Sequence, residues 1–195
     1  MPKSANLIIT SDCNMRCRHC YYSNDLKNIY EVKSYLKELK YIIDKLIMFG
    51  TEKFILTGGE ATLSLDLLEV INYIKEKDGE VIIFSNGYNI SNKIIDCCDK
   101  FSLSLDGDRN QHNYLRNNTK SFDYLINTLD ILDDERKQLY IQTTITKMNI
   151  NIIDSLIPIY IKYKNILKQI NLVGVINTGN VLDNNELVLH DVYYT

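Results

Sequence analysis

The sequence has little of what breaks a chain into separate domains. Its 195 residues contain 2 prolines and 8 glycines, and no Pro/Gly/Ser-rich linker, low-complexity tract or internal sequence repeat interrupts the pattern of apolar residues. We therefore expect one domain over residues 1–195, long enough to bury a sizeable core.

An excess of positive charge is also missing. The chain carries 22 basic and 25 acidic side chains, which gives a formal net charge of −3. A general nucleic-acid or anionic-membrane surface needs a basic excess or a basic stripe, and the sequence has neither. We expect no nucleic-acid partner, and small molecules or polypeptides are the favoured partners.

Long apolar runs are absent as well. No stretch reaches the length of a membrane-spanning helix, so no membrane partner is expected. The first residues run into a short apolar stretch that Thr10, Ser11 and Asp12 interrupt, which does not resemble a targeting signal. The sequence thus predicts a cytoplasmic protein.

The cysteines do not have the spacing of an exported disulfide framework. There are five of them, an odd number. Cys13, Cys17 and Cys20 lie together in one turn-rich segment, while Cys97 and Cys98 are adjacent in the middle of the chain. This arrangement favours metal ligation in a reducing compartment over disulfide pairing.

Thiolate ligands select zinc, copper(I) or iron–sulfur clusters. A structural zinc site needs four protein ligands, and here the fourth would have to be His19, Cys97 or Cys98. Three thiolates without a clear fourth ligand are typical of a cubane cluster that keeps one iron open.

Short apolar runs alternate with longer stretches of helical periodicity, which predicts a βα series with parallel strands. Both a doubly wound sheet and a barrel fit this α/β pattern. The predicted strands are Asn6–Thr10, Lys53–Thr57, Glu80–Ser85, Phe101–Leu105, Tyr140–Ile145 and Gln169–Val175, and the predicted helices are Val32–Phe49, Ser64–Lys77, Asn89–Cys98, Lys120–Asp133 and Ile150–Tyr163.

Small polar or glycine residues follow several of these strands. In both architectures ligands bind at the carboxyl ends of parallel strands. A Gly-Gly-Glu sequence (58–60) follows the second strand, Ser85 and Asn86 end the third, and Ser104 lies in the fourth. Paired glycines let a backbone approach a ligand and expose its amide groups, but each of these sequences is also typical of an ordinary turn.

The order of these motifs resembles the radical S-adenosylmethionine superfamily, in its peptide- and protein-modifying branch. The resemblance runs from Leu7 to about Gly179. The motifs that carry it are CNMRCRHC (13–20), TGGEATL (57–63), FSNG (84–87) and SLSLDG (102–107), followed by His112 and Arg116.

The resemblance implies a partial (β/α)6 TIM-like barrel and a role for each matching residue. Cys13, Cys17 and Cys20 would hold three irons of a [4Fe-4S] cluster, and the fourth iron would bind S-adenosylmethionine. The other cofactor contacts it implies are His19 at the adenine or ribose, Gly58, Gly59 and Glu60 at the methionyl amino group, Ser85 and Asn86 at the ribose or methionyl group, Ser104 and Arg116 at the ribose and carboxylate, and the backbone of Val175 at the adenine.

The activity implied is reductive cleavage of S-adenosylmethionine to a 5′-deoxyadenosyl radical, which abstracts a hydrogen atom from a peptide or protein substrate. An electron donor such as flavodoxin or ferredoxin is implied with it. Alternatives within the family are a glycyl-radical activating enzyme and an enzyme acting on a small molecule. Outside it, the alternative is a non-catalytic zinc- or cluster-binding module.

Three further features of the sequence lead to expectations. No cysteine after Cys98 could hold an auxiliary cluster, so the sequence is expected to be a minimal enzyme or a shortened chain. Cys97 and Cys98 are expected to pack in the core, because free cysteine behaves as a small apolar residue. The segment from Asp108 to Arg116 is predicted to be a loop, in which His112 either contacts substrate or is solvated.

Overall fold

Six parallel strands form one open sheet in the computed structural model, which describes residues 2–21 and 34–189. Each strand pairs with its neighbour in the chain, in the order β1-β2-β3-β4-β5-β6. The strands are β1 Ser4–Thr10, β2 Lys53–Gly58, β3 Glu80–Ser85, β4 Lys100–Ser104, β5 Gln138–Ile145 and β6 Leu167–Gly174.

This strand order decides between the two architectures that the sequence left open. A doubly wound sheet reverses its order at a switch point, whereas here the order never reverses. The fold is therefore an α/β partial barrel, as the resemblance implied.

The helices lie between the strands along the chain. They are α1 Leu36–Met48, α2 Leu67–Lys75, α3 Asn92–Cys97, α4 Arg109–Arg116, α5 Ser121–Asp134 and α6 Ile153–Lys162. Five of them match predicted helices with shifted ends; residues 32 and 33, where the first was expected to begin, lie outside the described residues. None of the helices in the described part of the chain is long and apolar enough to cross a membrane.

The core lies between the helices and one face of the strands. Phe54 and Leu56 of β2 are fully buried with residues of α2, while Lys53 on the opposite face is exposed. In β1 the same alternation leaves Ile8 56% exposed. Short apolar runs are typical of strands buried on both faces, but β1 is buried on one face only and β6 has no buried residue.

The segment after β4 is a helix and not the predicted loop. The Asp108 carboxylate caps it by accepting from the Gln111 N–H at 2.9 Å, and Asn117 ends it in the left-handed conformation at φ 50°. Its buried face carries His112, Leu115 and Arg116. Apolar periodicity missed this helix because two of those three residues are polar.

Candidate functional site

A cavity of about 210 Å³ opens at the carboxyl ends of the strands. Parallel strands direct their carboxyl ends to one edge, so the residues that follow β1 to β4 meet there. Its lining contains every site residue predicted from the sequence except Val175: Cys13, Cys17, His19, Cys20, Gly58, Gly59, Glu60, Ser85, Asn86, Ser104 and Arg116.

The loop after β1, residues 13–20, brings three cysteines to the cavity and is called the cysteine loop below. All three thiols are free of disulfides. The buried side chain of Met15 anchors the loop, and its backbone N–H donates to the Cys13 Sγ at 3.4 Å. The Arg16 guanidinium donates to the Cys13 carbonyl at 2.8 Å.

Within the described residues, no three His, Cys, Asp or Glu side chains form a group that could hold one metal ion. The three thiols of the cysteine loop share one cavity wall instead. A cluster bound by three cysteines places each thiolate on a different iron, so its ligands need not converge on one point. Three thiolates at one cavity are the soft ligands that an iron–sulfur cluster takes.

Gly58 ends β2 and Gly59 follows it, and these two glycines let the turn lie directly against the loop after β1. A Cβ on Gly58 would lie 2.2 Å from the Thr10 carbonyl oxygen, and one on Gly59 would lie 2.3 Å from that of Asp12. The N–H groups of Gly59 and Glu60 donate to the same two carbonyls at 2.9 and 2.7 Å. The sequence suggested that this turn exposes its amide groups to a ligand. The N–H groups of Gly59 and Glu60 are instead used within the protein.

Glu60 is buried at the cavity wall and accepts from neutral donors of two turns. Its Oε1 accepts from the Thr62 N–H at 3.1 Å and the Ser85 hydroxyl at 2.8 Å, and its Oε2 accepts from the Asn86 N–H at 2.8 Å. Burial raises the pKa of Glu60, although these hydrogen bonds oppose the shift. The carboxyl group thus joins the turns after β2 and β3.

Asn86 extends this network to the cysteine loop. Its side-chain amide donates to Asn14 Oδ1 at 2.9 Å, and its Oδ1 accepts from the Tyr88 N–H at 3.0 Å. The turns after β1, β2 and β3 are thereby connected by side chains as well as by the sheet.

Another residue of the cavity lining, Arg116, is held by a buried ion pair that the sequence did not predict. The Nε of Arg116 donates to the Oδ2 of Asp106 at 2.6 Å, and the Asp106 side chain is fully buried. Burial alone would raise the pKa of Asp106, but the charge of Arg116 and the hydrogen bond from the Thr144 N–H help to outweigh it and lower the pKa to about 2. The Arg116 Nη1 lies 4.0 Å from the Cys17 Sγ.

Two histidines flank Asp106. The His19 Nε2 lies 3.6 Å from the Asp106 Oδ2, within the cavity lining. His112 is 1% exposed, and its Nδ1 accepts from the Asp106 backbone N–H at 3.2 Å. Burial and the nearby Arg116 lower the pKa of His112 to about 3, so its ring is neutral. His112 is therefore not solvated, which rules out one of the two sequence-based alternatives, and it does not line this cavity.

Val175 lies just beyond β6 and outside the cavity lining. It is buried, and its N–H donates to the Ile145 carbonyl at 2.8 Å. Cys98 is buried in the core and Cys97 packs against it, which confirms the expected packing role of this pair.

The family model of the Radical SAM superfamily matches residues 7–154. The chain is 30% identical over 148 residues to the Fe-coproporphyrin III synthase of Methanosarcina barkeri, across 73% of this chain and 37% of that protein. It is 28% identical over 154 residues to the sporulation killing factor maturation protein SkfB of Bacillus subtilis, across 76% of this chain and 37% of that protein.

The fold is similar to that of solved structures. SuiB of Streptococcus suis, bound to its precursor peptide SuiA, superposes with a TM-score of 0.78 at 18% identity, over 90% of this chain and 40% of SuiB. The chain thus spans less than half the length of each of these three proteins.

Proposed function

The chain belongs to the Radical SAM superfamily, and from its site we infer that it uses a [4Fe-4S] cluster and S-adenosylmethionine to abstract a hydrogen atom from a peptide or protein. The observation that carries this proposal is the shared cavity of the three thiols, the turns after β2 and β3, and Arg116. Any one of these turns alone would be typical of many α/β proteins and would not indicate this function.

The donor set fits the cofactors of the family. Cys13, Cys17 and Cys20 would each bind one iron, and the fourth iron would bind S-adenosylmethionine. When bound, the cluster and S-adenosylmethionine supply a one-electron cleavage of a carbon–sulfur bond and the radical that abstracts hydrogen. The residues of this chain bind and orient these groups and exclude water.

Arg116 is the proposed partner of the S-adenosylmethionine carboxylate. Its Nε is bound to Asp106, so the guanidinium is fixed in one orientation along the cavity wall. A guanidinium held this way presents a planar pair of donors that matches a carboxylate. Asp106 would act through Arg116, since it fixes this orientation.

We assign the remaining cofactor contacts from the resemblance to the family and from the position of each residue. Glu60 is proposed to receive the methionyl amino group in addition to joining its two turns. Ser85 and Asn86 would face the ribose or methionyl group, and Ser104 the ribose. His19 would lie against the adenine or ribose, and the backbone of Val175 would meet the adenine.

The proposed peptide substrate draws support from two similar proteins. SkfB is a maturation protein for a sporulation killing factor, and SuiB was solved with a precursor peptide bound. The similarity to Fe-coproporphyrin III synthase supports a second candidate, a small-molecule substrate. A synthase is named for the compound that it forms, so the small-molecule probe is a precursor of Fe-coproporphyrin III. This precursor and a candidate precursor peptide, each incubated with the loaded chain and followed by mass change, distinguish the two.

The cluster assignment is tested by Cys17→Ala, with Cys97→Ala as the matched control. Both variants remove one thiol, but only Cys17 lies at the cavity. After anaerobic reconstitution, Cys17→Ala is expected to lose most of its iron and all 5′-deoxyadenosine formation under dithionite, because two thiolates hold a cubane poorly. Cys97→Ala should keep both. Wild-type iron and product in Cys17→Ala would overturn the assignment.

A further inference from the structure

The cysteine loop contains no helix or strand, yet its backbone is held by a segment far along the chain. This segment, Gly179–Asp183, is a short 3₁₀ turn after β6 and is called the clasp below. The Asn180 side-chain amide donates to the Cys17 carbonyl at 2.8 Å. The backbone N–H of the same residue donates to the Cys20 carbonyl at 2.9 Å.

One residue therefore binds the carbonyls of two of the three cysteines. The Cys17 carbonyl also accepts from the Cys20 N–H at 3.3 Å, which closes the turn between the two cysteines. Asn180 is 4% exposed, so water does not compete freely for these hydrogen bonds. Buried hydrogen bonds at both ends of a turn restrict its backbone more than the turn's own bond does.

Gly179 shows how closely the clasp lies against the cysteine loop. It has φ +59°, and a Cβ there would lie 2.3 Å from the Tyr21 carbonyl oxygen and 2.6 Å from that of Cys20. The left-handed backbone and the close approach each require glycine.

The clasp and the short turn that follows it, Asn185–Leu187, are anchored to the body of the domain. The side chains of Val181 and Leu187 are fully buried. The Lys147 N–H, just after β5, donates to the Leu187 carbonyl at 3.0 Å. The Asn184 side chain donates to the Asn180 carbonyl at 2.7 Å and accepts from Arg18 of the cysteine loop at 3.3 Å.

We propose that Asn180 is a positioning residue that fixes the spacing of Cys17 and Cys20 and so makes cluster retention depend on the chain after β6. This rests on the proposed function of the cysteine loop. A thiolate follows the backbone that carries it, and groups that hold metal ligands in place strongly affect metal retention. The matched family segment ends at residue 154, so the clasp lies beyond it.

The test compares Asn180→Ala with Asn185→Ala in the full chain, before and after anaerobic reconstitution. Asn185 lies in the same region but is exposed. Asn180→Ala is expected to speed amide hydrogen exchange at Cys20 in the cluster-free chain by about tenfold or more, and to speed iron release to a chelator by a factor in the range of roughly 10 to 100. Asn185→Ala should match the wild type in both.

A milder variant covers the case in which Asn180→Ala does not fold. Asn184→Ala removes only the support of the Asn180 carbonyl and the contact with Arg18, and should change both rates in the same direction by a smaller factor. Wild-type exchange and iron release in the folded variants would overturn the proposal. If the wild-type chain retained no cluster, the proposed function would fail, while the exchange rates would still decide whether Asn180 holds the loop.

Discussion

Two buried carboxyl groups support different parts of the cavity lining, and their surroundings differ in kind. Glu60 lies in the lining with Ser85 and Asn86, and this part is called the neutral wall below. Asp106 is not in the lining but binds the lining residue Arg116, and this pair is called the charged wall. Glu60 accepts from backbone N–H groups and a serine hydroxyl, and burial raises its pKa. Asp106 accepts from a guanidinium, and its pKa is lowered to about 2. The first joins two turns through neutral donors, whereas the second is a permanent anion that orients a cation. The direction in which the pKa of a buried acid shifts thus depends on the charge of its partners and not on burial alone.

The largest loss of stability is expected for Asp106→Asn, which removes the negative charge of the charged wall. An Asn side chain can keep the hydrogen bond from the Thr144 N–H, but it then leaves Arg116 as a buried charge without a counterion. The free energy of unfolding should fall by about 3 to 5 kcal/mol. Urea unfolding of the cluster-free chain measures it.

A second variant separates the ion pair from other effects of this substitution. Adding Arg116→Met to Asp106→Asn removes the uncompensated charge, so the double variant should be more stable than Asp106→Asn alone. If the second substitution instead destabilised further, Arg116 would not depend on Asp106.

A smaller loss of stability is expected for Glu60→Gln, which changes the acceptor at the centre of the neutral wall. Both carboxylate oxygens accept from an N–H group, Thr62 on one and Asn86 on the other. The new amide group must therefore face a donor in either orientation, which should cost about 1 to 3 kcal/mol of stability. Calorimetry of S-adenosylmethionine binding to the loaded chain separates the two proposed roles: unchanged affinity would mean that Glu60 only joins the turns.

The two walls also differ in how much of them the sequence predicts. The turns after β2 and β3 are local motifs directly behind apolar strands, so Gly58, Gly59, Glu60, Ser85 and Asn86 could be placed at the cavity in advance. All six strands were likewise predicted, with shifted ends, because each is a short apolar run between stretches of helical periodicity.

The charged wall could not be predicted in the same way. Asp106 precedes a glycine, which is typical of an ordinary turn. Its partner lies ten residues away on a helix with little apolar periodicity. Asn180 is farther still, because its contacts with the cysteine loop join residues 163 positions apart. Such pairs depend on how the strands are ordered in space, and local pattern carries no information about that.

Measuring stability against pH tests whether the buried surroundings of Asp106 also hold His112 in its neutral form. Its folded pKa of about 3 lies below the ordinary 6.5, so the unfolded chain binds a proton that the folded chain does not. Stability should therefore fall as the pH falls below 6.5, by up to about 2 kcal/mol between pH 7.5 and 5. Asp106 adds little there, because its folded and unfolded pKa values both lie below this range.

His112→Gln isolates this contribution, since a glutamine oxygen can accept from the Asp106 N–H without titrating. The raised pKa of Glu60 acts in the opposite direction, because its folded form keeps a proton to higher pH than its unfolded form. The measurement is therefore the difference between wild type and His112→Gln in urea unfolding at each pH. A difference that does not change with pH would show that His112 is not held neutral.

The smallest effect is expected at a second arginine–aspartate pair, whose arginine lies on the same helix as Arg116. Arg109 at the start of α4 lies 2.6 Å from Asp123, the same separation as in the Arg116–Asp106 pair, but these side chains are 54% and 50% exposed. Water and salt screen such a pair, so Asp123→Asn should cost less than about 1 kcal/mol and should cost still less at 1 M salt. Urea unfolding at low and high salt, run beside Asp106→Asn, measures both pairs on one scale. Equal losses at the two pairs would mean that the 2.6 Å contact, and not burial, sets the stability of the charged wall.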